Sequence, residues 1–148
     1  MIELTYLASL LLASGQPGQV VTIHGRDMAG LRDREDVIRG SCDGHPASAT
    51  IVKAYRGRAG RLTLRGGRFA RDIPATFLGG ALFRQRLTFA GLGCDGRRLQ
   101  LHALAIRPNA RGELVMDIQD ATLDLRTGVV STTDLRTLTP AETLAELR

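Results

Sequence analysis

The side chains in this chain that could do chemistry through their type and spacing are guanidiniums. Lys53, Arg56, Arg58, Arg61, Arg65, Arg68, Arg71, Arg84 and Arg86 fall between Pro46 and Cys94, where Asp72 is the single acid. The remainder carries eleven basic and fourteen acidic residues, so the formal +5 divides into +8 over the middle and −3 over the ends. A split of that size points to a surface that faces something anionic. Within Arg61-Leu62-Thr63-Leu64-Arg65, strand alternation puts Arg61, Thr63 and Arg65 on one exposed face and turns Leu62 and Leu64 inward. Two guanidiniums about 7 Å apart can grip phosphates or carboxylates bidentately. Gly57, Gly60, Gly66 and Gly67 flank the strand and allow close backbone approach, and Tyr55 and Phe69 are the neighbouring aromatics. The binding set read from the sequence is Lys53, Tyr55, Arg56, Arg58, Arg61, Arg65, Arg68 and Arg71. Three uses compete for it. The arginines pair with acids of neighbouring strands such as Asp117 and Asp124, or dock on an acidic protein or a copy of the same chain, or hold the phosphates of nucleic acid, nucleotide or lipid.

Metal and catalytic chemistry have little to stand on. Cys42-Asp43-Gly44-His45 has C-x-x-H spacing, but Cys94 and His102 make a poor second pair, so the cysteines read as turn residues and buried thiols. A bond between Cys42 and Cys94 needs the two corners to meet, and an intracellular chain is expected to keep them reduced. His24, His45 and His102 lie far apart with no carboxylate next to them in sequence. His102 is expected on the polar face of a strand. No phosphate-binding glycine loop, serine elbow or HExxH is present. No cofactor, no metal and no enzymatic activity are expected.

Arg61-x-x-x-Arg65, followed by Gly79-Gly80-Ala81-Leu82-Phe83 and a strand meander, faintly resembles PilZ domains over residues 58–120. In that family an RxxxR motif and a downstream D/N-x-S-x-x-G motif on a small β-barrel bind cyclic di-GMP. Here Pro74-Ala75-Thr76-Phe77-Leu78-Gly79 places Pro where the acid or amide belongs and Thr where Ser belongs. The resemblance implies a cyclic dinucleotide as an alternative ligand and carries no family assignment.

These residues need a scaffold, and composition says which. At 148 residues the chain suits one domain, 1–148, and its 43% apolar and 24% charged residues fit a globular fold. Seventeen glycines and few aromatics favour strands joined by tight turns over a helical bundle. Nineteen of the twenty basic residues are Arg, a skew that fits GC-rich coding together with abundant Ala, Gly, Leu and Asp. The apolar run Leu4–Ala13 follows an acidic start, is too short to span a bilayer and is broken at Ser14–Gly18. The expected location is cytoplasmic or within an assembled particle, with no recognisable secretion signal and no membrane span.

Strands are expected at Gln19–His24, Ser48–Tyr55, Arg61–Arg65, Ala81–Phe89 and in a meander over Arg97–Thr133. Asp27–Arg39 reads as a helical turn or two or an exposed loop. Leu99, Leu101, Ala103 and Ala105 share one face, while Leu104 and Ile106 imply burial on the other. Leu114, Met116 and Ile118 are expected on one inner face. Cys-Asp-Gly recurs at 42–44 and 94–96 as hairpin-corner chemistry. Thr139-Pro140-Ala141-Glu142 opens a short helix to Arg148. The fold expected is mainly β, an antiparallel barrel or two-layer sandwich of about seven to nine strands, with a short apolar N-terminal segment (1–18), a β core (19–138) and a C-terminal helix (139–148). The function expected is a non-catalytic structural or assembly module, such as a virion or secretion-apparatus subunit and itself a homo-oligomer, docking through its arginine-rich face. The alternative is a small phosphate-ligand or nucleic-acid-binding module.

Overall fold

The computed structural model describes residues 20–84 and 87–147. The expected N-terminal apolar segment and its break lie outside the described residues, as does Arg86. The fold is mainly β, with eleven strands in two antiparallel sheets and a short C-terminal helix.

The smaller sheet is a four-stranded meander of β3 (Glu35–Cys42), β4 (His45–Val52), β5 (Arg61–Gly66) and β6 (Phe69–Ile73). The larger holds β1 (Val20–Ile23), β2 (Arg26–Leu31), β7 (Leu87–Asp95), β8 (Arg98–Pro108) and β9 (Leu114–Asp124) in that order. Two three-residue strands, β10 (Val130–Thr132) and β11 (Arg136–Leu138), finish its far edge by pairing successive parts of β9.

Turn chemistry sets the registers. Asp43 and Gly44 both take positive φ, so Cys42 faces His45 across a two-residue corner. His24 and Gly25 do the same between β1 and β2. The repeated Cys-Asp-Gly thus marks two hairpins, β3–β4 and β7–β8. In the second the corner has moved on one residue to Gly96-Arg97.

Alternation then sorts the side chains. Leu62 and Leu64 of β5 are fully buried against Leu99 and Leu101 of β8, with Ala49, Ile51 and Leu123 completing the layer between the sheets. Each buried Leu or Ile contributes roughly 1.5–3 kcal/mol. Leu104 and Ile106 point the other way, into a second core behind the larger sheet with Met28, Phe89, Met116 and Leu147. Burial on both faces of β8 matches its broken alternation. Met116 is buried in this back core and Leu114 and Ile118 pack against it half-buried, while the opposite residues Val115 and Asp117 are buried. The three thus share one inner face as expected, and the addition is that β9 is covered on the opposite side as well.

Two stretches differ from the sequence expectation. Asp27–Arg39 is neither helix nor loop but most of β2 and β3. Both run near sheet edges, where one partial apolar face suffices, so their polar composition hides the strand period. Ala81–Phe83 belongs to a 3-10 segment, Phe77–Phe83, and the following strand begins at Leu87. In that segment Leu78, Gly79 and Gly80 take left-handed backbone, and the Leu78 N–H donates to Gln119 Oε1 at 2.6 Å. The glycines adopt this turn freely, and the buried Phe77, Leu78 and Leu82 side chains hold it against the inter-sheet core. Nothing in its composition distinguishes it from a buried strand.

The C-terminal helix, α1 (Pro140–Glu146), starts as expected. The Thr139 hydroxyl accepts from the Glu142 N–H, and Glu142 Oε1 accepts from the Thr139 N–H, a reciprocal capping box. Leu144 and Leu147 bind the helix to the back core.

Candidate functional site

Register places the arginines. On the outer face of the smaller sheet, one cross-strand row reads Arg39, Ser48, Arg65, Ala70, and the next Val37, Thr50, Thr63, Asp72. Arg39 and Arg65 are exposed on either side of Ser48, about 10 Å apart at the backbone, and neither has a carboxylate partner among the described residues. Arg61 lies on the same face beside Val52 and meets Asp72, Nε to Oδ2 at 3.3 Å. Both side chains of that pair are more than half exposed, so the bridge adds little stability. Thr63 is corrected from exposed to buried, at 8%, because its hydroxyl donates to Asp72 Oδ1 at 2.8 Å in mid-sheet.

The other residues of the sequence set do not join that face. Lys53 is half-buried and its Nζ donates to the Leu31 carbonyl at 3.1 Å. Tyr55, Arg56 and Arg58 form a tight exposed turn beyond β4, closed by paired backbone hydrogen bonds between Tyr55 and Arg58. Arg34 and Arg56 lie 3.9 and 5.1 Å from the Tyr55 ring centre. At the opposite end of β5, Arg68 and Arg71 each lie 5.0 Å from the Phe69 ring centre. Arg71 sits on the inward side of β6, opposite Leu64, and its Nε donates to the Gly128 carbonyl at 3.0 Å. Asp117 and Asp124 are engaged elsewhere. Asp117 binds Arg107 by two hydrogen bonds, 2.7 and 3.3 Å, which raise the Arg107 pKa, and Asp124 caps the turn at Arg126. The segment 74–79 that would carry the second PilZ-like motif leads into the 3-10 segment, with Phe77 and Leu78 buried.

A second site, which the sequence did not reveal, lies behind the larger sheet. The β1–β2 hairpin folds over that face because Gly91 leaves room. A Cβ there would stand 2.2 Å from the Asp27 carbonyl oxygen. Gly93, two residues on, makes room for the His102 ring, whose Nε2 would be 2.9 Å from a Cβ. The hairpin, β8, β9, α1 and the residue 133–136 turn then line a partly open cavity of about 400 Å³. Its floor is Ile23, Met28, Leu104, Met116, Ile118 and Leu138. His102, half-buried on its strand, sits directly opposite Asp120, Nδ1 to Oδ1 at 3.0 Å. Arg26 reaches the same carboxylate at 3.8 Å, His24 contacts Glu146, and Arg136 meets Glu142 at 3.5 Å. The Thr139 N–H and hydroxyl, ahead of Arg136, hold the Glu142 carboxyl below its ordinary range. The Thr133 hydroxyl accepts from the Asp120 N–H and donates to the Asp120 carbonyl. The available sequence signal was Gly91-x-Gly93 inside a strand, which marks close approach by another element.

Cys42 and Cys94 are joined in a disulfide, Cα to Cα 5.4 Å, tying β3 to β7 and so one sheet to the other. This corrects the expectation of reduced thiols and removes both from a Cys2His2 metal set. Among the described residues no helix is long and apolar enough to cross a membrane. Compared with protein-family models, curated proteins and solved structures, the chain matches none.

Proposed function

We propose that this chain is a non-catalytic docking module whose four-stranded sheet presents arginines to an acidic protein surface, a second copy of the chain included. The observation that carries this reading is the row Arg39–Ser48–Arg65. It sets two exposed guanidiniums without carboxylate partners on either side of a hydroxyl-bearing strand, with Arg61, already paired with Asp72, two rows further along β5. Small side chains between the arginines let a partner approach the sheet, and guanidiniums bind carboxylates bidentately while resisting desolvation less than ammonium groups do. Protein is favoured over nucleic acid because Tyr55 and Phe69 already carry two guanidiniums each near their rings, which competes with base stacking. The disulfide suits an oxidising compartment or the outside of an assembled particle.

The test is charge reversal on that row. Arg39→Glu with Arg65→Glu should abolish low-salt self-association or capture by an acidic partner, read by sedimentation, while leaving the unfolding midpoint within a few degrees. Wild-type binding should weaken with salt as exposed charges are screened. A wild-type chain that stays monomeric at high concentration and low salt, and ignores acidic proteins, overturns the proposal. Preferential binding to single-stranded nucleic acid over acidic protein would move the reading to the phosphate-binding alternative.

A further inference from the structure

We propose that the cavity behind the larger sheet is a binding site for a small amphipathic cation, an ammonium group carried on a hydrocarbon body. The site lies on the opposite side of the larger sheet from the smaller one and does not depend on the arginine row.

Three observations combine. The first is size and lining. A partly open volume of about 400 Å³ lies over a floor of six aliphatic and thioether side chains, contributed by the hairpin, β8, β9 and β11. A hydrocarbon of matching size gains roughly 25 cal/mol for each Å² of apolar area removed from water there, and the volume falls in the range of small-molecule sites. Met28 and Met116 add adaptable walls, because thioether side chains reshape around varied apolar ligands.

The second is the sign of the rim. Two guanidiniums, Arg26 and Arg136, stand among four carboxylates, Asp120, Asp134, Glu142 and Glu146, leaving a formal −2 with the imidazoles neutral. In a chain of formal +5 this is a local inversion. Arg26 is spent on Asp120 and Arg136 on Glu142. Glu146 has only the His24 imidazole, and Asp134 has no cationic partner among the described residues. Glu146 gives Oε2 to the His24 imidazole, so the acceptors open to a ligand's ammonium are its Oε1 and the Asp134 carboxylate, and both residues border the cavity.

The third is construction. Gly91 and Gly93 leave space where any side chain would collide with the hairpin backbone or the His102 ring. The hairpin is thereby held over the sheet with its Arg26 and His24 anchored on β9 and α1. An anionic ligand would meet the unneutralised carboxylates, and a purely apolar one would leave them unanswered. A cation on an apolar body satisfies floor and rim together.

The experiment is calorimetric titration of the full chain with octylammonium below its micellar concentration, beside octan-1-ol and octanoate, which keep the body and change the head. Octylammonium is expected to bind saturably, one per chain, with the alcohol and the anion about tenfold or more weaker, as loss of a charge-assisted contact implies. Glu146→Gln and Asp134→Asn are expected to weaken octylammonium severalfold each, with the unfolding midpoint unmoved in Asp134→Asn and lowered by no more than a few degrees in Glu146→Gln, which alters the His24 contact. Arg65→Glu, on the other sheet, is expected to leave binding unchanged. No binding of octylammonium, equal binding of all three probes, or full affinity in the Glu146→Gln, Asp134→Asn double variant would each overturn the proposal. The probe series is read on the wild-type chain, so it decides even if a variant folds poorly.

Discussion

Among the described residues Asp36 is a carboxyl that the fold pushes toward its neutral form. It occupies the inward side of β3, opposite Ile51, and its Oδ2 is buried without a hydrogen-bond partner. Burial pushes its pKa above the ordinary 3.8, against the Asp33 backbone hydrogen bond and the Lys53 charge that pull it back. The sign follows directly. A carboxyl whose folded pKa is raised contributes stability below its unfolded pKa and loses it as pH rises through the folded value. Asp36→Asn removes that loss. Its unfolding midpoint should exceed wild type by a few degrees at pH 7 and coincide with it near pH 3. Thermal scans at the two pH values check this, and an equal gain at both would remove titration as the cause.

Among the elements, the β1–β2 hairpin depends most on a single position. Gly91→Ala would set a Cβ against the Asp27 backbone oxygen at 2.2 Å and the Met28 sulfur at 3.0 Å. A backbone atom cannot swing aside, so the hairpin must lift, at a cost of about 2–3 kcal/mol. Gly93→Ala meets the end of the His102 ring at 2.9 Å. A side chain can rotate away, so that variant should cost less. Hydrogen exchange separates these outcomes. Gly91→Ala should lose protection in β1 and β2 while β4 and β5 keep theirs. Uniform loss across both sheets would show that the hairpin is not a separable element.

At the scale of the whole molecule, two sheets share one core and one covalent tie. The Cys42–Cys94 bond closes a loop across a sequence separation of 52 residues, which in the chain-entropy account stabilises the fold by about 4 kcal/mol. Reduction should therefore lower the unfolding midpoint by ~10 °C. The Cys42→Ala, Cys94→Ala variant should start near that lower midpoint and ignore reductant. A wild-type midpoint indifferent to reductant would mean that the packed core alone holds the sheets together. The same architecture separates the two proposed sites. The arginine row lies on the exposed face of the smaller sheet and the acid-rimmed cavity on the far face of the larger, with the inter-sheet core between them.

The sequence by itself determined what depends on neighbours along the chain. Period-two alternation placed Leu62 and Leu64 inside and Arg61 and Arg65 outside, and two-sided apolar content marked β8 as covered on both faces. Asp-Gly corners located two hairpins, and Thr139, Pro140 and Glu142 opened the helix, because caps and tight turns are settled within four residues. What joins residues far apart was decided only by tertiary structure. β2 and β3 have too little apolar pattern to announce themselves, and they become strands because β7 and β4 supply hydrogen-bond partners. The β3–β4 pairing set Arg39 across Ser48 from Arg65, and the packing of one sheet on the other brought Cys42 to Cys94. His102 faces Asp120 through an eighteen-residue register, and His24 meets Glu146 across 122 residues. The first is set by the β8–β9 pairing, and the second requires the hairpin to cross the sheet at Gly91, a packing event that no local period encodes.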